Sequence, residues 1–160
     1  MDRSYIDRNA ASLERLRRTV ADSDDSLLSR EVEPGWTVGV LLAHQAFWDR
    51  FVTIRWQAAV ASGTPTPADV PAGLTDLLND AMTPLWRAIS NLTVGSLAVA
   101  AAEEVDQVVA SLPDASVEAV VAEGRERLID RSHHRSTHLD AIEGPSADES
   151  RAAGSSTQSR

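Results

Sequence analysis

Cysteine and lysine are both missing from the chain. Without cysteine there is no disulfide, no thiolate nucleophile and no Cys-ligated zinc. Without lysine there is no Schiff-base chemistry. All 15 basic residues are arginine, a bias that reads as genomic composition rather than function. A concentrated basic surface is lacking too: the net charge is −9 and the pI about 4.8, which argues against nucleic acid as a partner. No apolar run approaches a membrane span, and Met1-Asp2-Arg3-Ser4-Tyr5 carries no apolar signal region. Strand signals are poor throughout, and there is no internal repeat. These absences leave a soluble, cytoplasmic, all-α protein as the expectation. Its 160 residues are enough for one domain with a substantial core.

Helical periodicity is what the chain does have. Ile6, Leu13, Leu16 and Val20 give an apolar stripe to a first helix over about Arg3 to Ala21, closed by Ser23-Asp24-Asp25. Glu33-Pro34-Gly35 predicts a turn, and Thr37 an N-cap for a second helix reaching about Ala61. Trp36 and Leu41 flank that cap as a hydrophobic staple. Ser62 to Asn91 is a long connection carrying a shorter helix around Leu74 to Ile89. A further helix is expected from about Val94 to Leu112, with Leu97, Val105, Val108 and Val109 buried. Val117 to Glu143 favours helix, restarting after Gly124. The domain thus covers 1–143, and 144–160, rich in Ser, Ala and Gly, is expected to be a disordered tail.

Two histidine-bearing stretches stand out. His134 and His138 are spaced i,i+4, which stacks them on one helical face about 6 Å apart at Cβ. Two imidazoles so placed can grip a divalent metal, and His44 is the candidate third ligand. Such a pair also serves simply to cap a helix or to sit at its negative end, and a lone His in an apolar run is usually a satisfied core residue. On the helical wheel His44 shares its face with Val40, Leu41, Phe47, Trp48 and Phe51, while Gln45 and Asp49 lie to the side or opposite. His133 falls roughly 140° from His138 and is left out of the site. Arg131 lies on the histidine face one turn deeper, where it either orients an anionic group or snorkels over packed surface. Asp130, Asp140 and Glu143 point sideways or away, so no catalytic residue and no general base is evident.

His44 lies early in its helix and His134 and His138 late in theirs. For the three to meet, the second and last helices must be antiparallel. A simple up-down-up-down order would make them parallel, so the expected fold is a four-helix bundle with a long crossover between its second and third main helices.

The chain resembles the DinB/YfiT-like superfamily of metalloenzymes. The matching residues are Gly35-Trp36-Thr37 leading into Leu42-Ala43-His44-Gln45-Ala46-Phe47-Trp48-Asp49, and the later His134-x-x-x-His138-Leu139-Asp140-x-Ile142. Leu78-Asn79 followed by Pro84-Leu85-Trp86 resembles the middle section of such proteins. The resemblance implies a four-helix bundle, a zinc or nickel ion on His44, His134 and His138, and a homodimer. Some relatives in that superfamily are transferases or isomerases that use a low-molecular-weight thiol, and others are hydrolases. Three functions follow for comparison. One is a metal-dependent enzyme whose metal activates water or a thiol. The second is a non-catalytic small-molecule binding or stress protein with Phe47, Trp48 and Phe51 around its pocket. The third is a metal-free dimerising scaffold.

Overall fold

Thr37 starts the central helix: its hydroxyl accepts the Val40 N–H at 3.3 Å, and its own backbone is extended. From there α3 (Val38–Ser62) runs 25 residues and stops at Gly63, whose φ of 68° is left-handed. The first half of α3 is buried on every side, through Val38, Leu42, Gln45 and Asp49 as well as His44. The computed structural model describes residues 2–144. Apart from Gly144, the tail expected over 144–160 lies outside them.

Around α3 stand α1 (Tyr5–Ala21), α2 (Asp25–Ser29), α4 (Leu74–Arg87), α5 (Asn91–Ala110), α6 (Asp114–Ala122) and α7 (Ser132–Glu143). The described chain is thus mostly helical, as expected. No helix in it is long and apolar enough to cross a membrane. Ser90 caps α5 by accepting the Leu92 N–H, so that helix starts at Asn91, three residues before the expected Val94. Gly124, at φ 65°, ends the turn after α6, and a short 3-10 helix, Glu126–Leu128, precedes α7.

Three expectations are corrected. A small antiparallel hairpin, β1 (Glu31–Glu33) with β2 (Trp36–Thr37), turns on Gly35 at φ 77° where no strand was foreseen. Strands of three and two residues are too short to show alternation in sequence. Leu97 is 47 % exposed rather than buried, because α5 presents Val94, Ala98, Ala102, Val105 and Val109 inward. Small residues on that stripe let neighbours come close. A Cβ on Gly95 would lie 2.7 Å from a Val20 methyl carbon of α1. The third correction is α7, which starts at Ser132 rather than after Gly124, so His134 and His138 lie in its first two turns rather than late in it. On α3, Gln45 and Asp49, to the side of or opposite His44, are completely buried.

The contacts order the helices. Tyr5 early in α1 donates its hydroxyl to the Val109 carbonyl late in α5, and Arg17 pairs with Glu103 nearer the middle of α5. Asn9 meets the start of α7, and Arg15 pairs with Asp140 and Glu143 at its end. Asp49 bonds Arg131 and Arg135, whereas His44, one turn earlier in α3, meets His134 and His138 further along α7. Two apolar clusters form the core. One gathers Leu16, Val38, Leu42, Val94, Leu139 and Ile142; the other gathers Tyr5, Trp56, Val105, Val117, Val120 and Leu128.

Candidate metal centre

The end of α3 nearest the hairpin brings His44 onto α7. His44, His134 and His138 each offer a ring nitrogen, and these atoms all lie within 4.8 Å of one another. His134 Nε2 and His138 Nε2 are 3.2 Å apart. The His44 ring centroid is 5.5 Å from that of His134 and 4.9 Å from that of His138. His133 is exposed, on the outer side of α7 as the wheel required.

α7 lacks a side-chain cap of its own and is held from elsewhere. Asn9 of α1 accepts the Arg131 N–H at 2.8 Å and the Ser132 N–H at 3.1 Å, satisfying donors that a helix start leaves free. Arg30 donates to the carbonyls of Ile142 and Gly144 at the other end. Both histidines of α7 are therefore carried on a helix pinned at each terminus.

An aromatic collar shields His44. Trp36, Trp86 and Trp48 present rings at 5.3, 5.1 and 6.2 Å, all close to edge-on. The hairpin absent from the sequence reading is what delivers Trp36. Phe47 packs on Trp86 and Trp48 and does not line the open space; Trp48 and Phe51 do. That space is a cavity of about 570 Å³ bordered by the three histidines, with Trp48 fixed to α4 through its indole N–H on Asn79 Oδ1 at 3.0 Å.

Burial sets the protonation. It lowers the His44 pKa to about 3 and the His134 pKa to about 2, helped in each case by nearby positive charge including Arg131. The His138 pKa is lowered by burial and by Arg131. Neutral imidazoles are the form that binds a metal. His44 Nδ1 is also buried with no hydrogen-bond partner, a loss that a ligand ion would relieve if coordinated there. The residues present fit a divalent metal.

Arg131 is buried, not snorkelling. Its Nε donates to Asp49 Oδ1 at 2.8 Å, and its Nη2 lies 3.3 Å from His134 Nδ1. A guanidinium has no acceptor, so His134 Nδ1 accepts and the His134 proton sits on Nε2, directed at His138 Nε2. A metal at His134 Nε2 requires that proton to leave and the Arg131 contact to open. Behind Arg131 lies a layer the sequence reading missed. Arg135, fully buried, donates to Asp49 Oδ2 at 3.1 Å and to both Asp106 oxygens at 2.8 Å. The available signal was Asp49 itself, a charge in an apolar helix that demands a buried partner.

Asp130 accepts from Arg8 and Ser132, and Asp140 and Glu143 from Arg15. Among the described residues no aspartate or glutamate lines the cavity. Fold and site together define a helical protein with a half-buried cluster of three histidines that can hold a metal ion. No family model, no curated protein and no solved structure matches the chain.

Proposed function

We propose that the chain is a DinB-like metal-dependent enzyme acting on a small molecule, with zinc or nickel held by His44, His134 and His138. The reading takes α1, α3, α5 and α7 as a four-helix bundle, with α4 inside a crossover between α3 and α5. Its support is the order of contacts: α1 meets α5 start to end but α7 start to start, and α3 meets α7 start to end. The observation that carries the function is the convergence of three neutral imidazoles within 4.8 Å beside an open cavity. The same reading places the protein in the cytoplasm as a homodimer.

Bound there, a divalent ion supplies Lewis acidity and lowers the pKa of a water or low-molecular-weight thiol nucleophile. The chain's own residues do the rest. Trp36, Trp48 and Trp86 keep bulk water from one side of His44, which strengthens electrostatics within the site. Asp49 holds Arg131 beside His134, where its positive charge helps keep that imidazole neutral. With no carboxylate in the cavity wall, no side chain of that kind takes the nucleophile's proton.

That last observation favours a second reading, a non-catalytic small-molecule binding or stress protein on the same scaffold. Purified without tags or chelators, the chain should carry close to one zinc or nickel ion. No metal on elemental analysis, together with no uptake in titration, would remove the proposal. Thiol-dependent or hydrolytic turnover by the metal-loaded protein separates the enzyme from the binder.

A further inference from the structure

The cavity beside the histidines has two unlike ends. On α3, His44, Trp48, Phe51 and Arg55 follow at i, i+4, i+7 and i+11, one continuous stripe, and all four line it. Arg127, Arg131, His134 and His138 line the facing wall with the same spacing, in the opposite direction. Histidines therefore gather at one end and Arg55 and Arg127 at the other. Eleven residues of α3 separate the ends by about 16 Å along the helix axis, less the reach of the arginine side chains. Between them the wall is apolar, formed by Trp48, Phe51 and Leu128 among others.

Among the described residues no carboxylate is paired with the two arginines of that end, Arg55 and Arg127, and Arg55 donates only to the Ala68 carbonyl at 2.6 Å. Carboxylates are not scarce in this chain, which has 24 acidic against 15 basic residues. The nearby Asp69 is engaged by Arg125 at 3.3 Å. Arg55 also lies over the Phe51 ring at 5.5 Å, which holds its planar group at the cavity edge before any ligand arrives. Burial first, then the charges of Arg125 and Arg127, push the Arg55 pKa down against a smaller opposing pull from Asp69, and a bound anion would offset the repulsion among the arginines.

The geometry points to an elongated amphipathic anion as the ligand: an oxyanion head, carboxylate or phosphate, at Arg55 and Arg127, an apolar body along Trp48 and Phe51, and the far end at the three histidines. Guanidinium forks match both head groups. Such a ligand would place its reacting end, not its charge, at the proposed metal. The far-end placement rests on the metal reading; the oxyanion end does not.

Calorimetric titration of the full-length chain with octanoate, octyl phosphate and octylammonium tests this. Both anions should bind at least tenfold tighter than the ammonium at equal chain length, and the tighter anion identifies the head group. Arg55→Gln and Arg127→Gln should each weaken anion binding about tenfold, the value of one charge-assisted hydrogen bond, and leave zinc binding unchanged. His138→Ala, measured without metal, should still bind the anion. Equal affinity for the three probes overturns the proposal even if neither variant folds. So does undiminished anion binding by both folded arginine variants. Zinc binding without anion preference leaves the metal reading standing alone, and anion preference without zinc binding does the reverse.

Discussion

Two groups of polar side chains lie side by side in the interior, finished to different degrees. In the layer of Asp49, Arg131, Arg135 and Asp106, guanidinium donors face carboxylate acceptors at 2.8 to 3.1 Å. In the histidine group one turn away, Nε2 faces Nε2, His44 Nδ1 has no partner, and a cavity opens beside the rings. Both sets are taken from water, yet only the first is complete by itself. The first set needs its members to keep the fold closed, and the second holds unspent lone pairs. Disrupting the layer should therefore cost stability, and disrupting the histidines should cost ligand binding.

Arg135→Leu should break this contrast most severely. It strands Asp106 and takes one of two guanidiniums from the fully buried Asp49, and should lower unfolding free energy by about 3–5 kcal/mol in urea melts, much of a typical domain's stability. A loss below about 1 kcal/mol would deny the layer its structural role.

Next in size are the ligands. His44→Ala, His134→Ala and His138→Ala should each weaken zinc binding by more than about 100-fold in competition with a chromophoric chelator, beyond what a residue merely behind a ligand contributes. His133→Ala should leave it unchanged. If losing the exposed His133 harmed binding as much as losing His134, the site would have been drawn on the wrong face of α7.

Acid sharpens the comparison in the metal-free protein. The folded pKa values of His44 and His134 are lowered, to about 3 and about 2, while unfolded histidine titrates near 6.5. Above pH 6.5 both states are neutral and the stability is fully present. As pH falls below it, the unfolded chain takes up protons that the folded chain refuses, and stability drops by about 1.4 kcal/mol per pH unit for each such histidine. His134→Gln should remove one proton's worth of that slope. A slope identical to that of the parent chain would mean that His134 does not resist protonation. Bound zinc should hold through mild acid, since folded imidazoles with lowered pKa values take up few of the protons that compete for the same nitrogens.

The smallest effect is expected at Arg131, which belongs to both groups. Arg131→Met removes a positive charge and the donor on His134 Nδ1, while Asp49 keeps Arg135. Zinc affinity should rise, by about tenfold or less. A fall as large as that from losing a histidine would make Arg131 a requirement of the site rather than a restraint on it.

How much of this was legible in the sequence follows the strength of local signals. Helical content, the Thr37 cap and the outward turn of His133 follow from spacing and capping chemistry within a few residues. The meeting of His44 with His134 and His138 was anticipated from their positions in separate helices, and the structure brings the three together. The hairpin left no trace because its strands are shorter than one period of alternation can reveal. Arg135 and Asp106 carried no comparable local signal, since the partner of each lies on another helix. Leu97 misled for the opposite reason: hydrophobicity alone does not tell which flank of α5 sits closest to its neighbours.

The charged layer also acts as a ruler. If α7 slid along α3 by one turn, about 5.4 Å, the apolar groups of α7 would still find apolar groups to cover. Arg135, however, would then no longer reach both Asp49 and Asp106, and Asp49 would lose one of its two guanidiniums. Apolar packing tolerates such slippage; a buried ion pair does not. The register that puts three imidazoles within reach of one another is thus set one turn away from them, by groups that never enter the cavity.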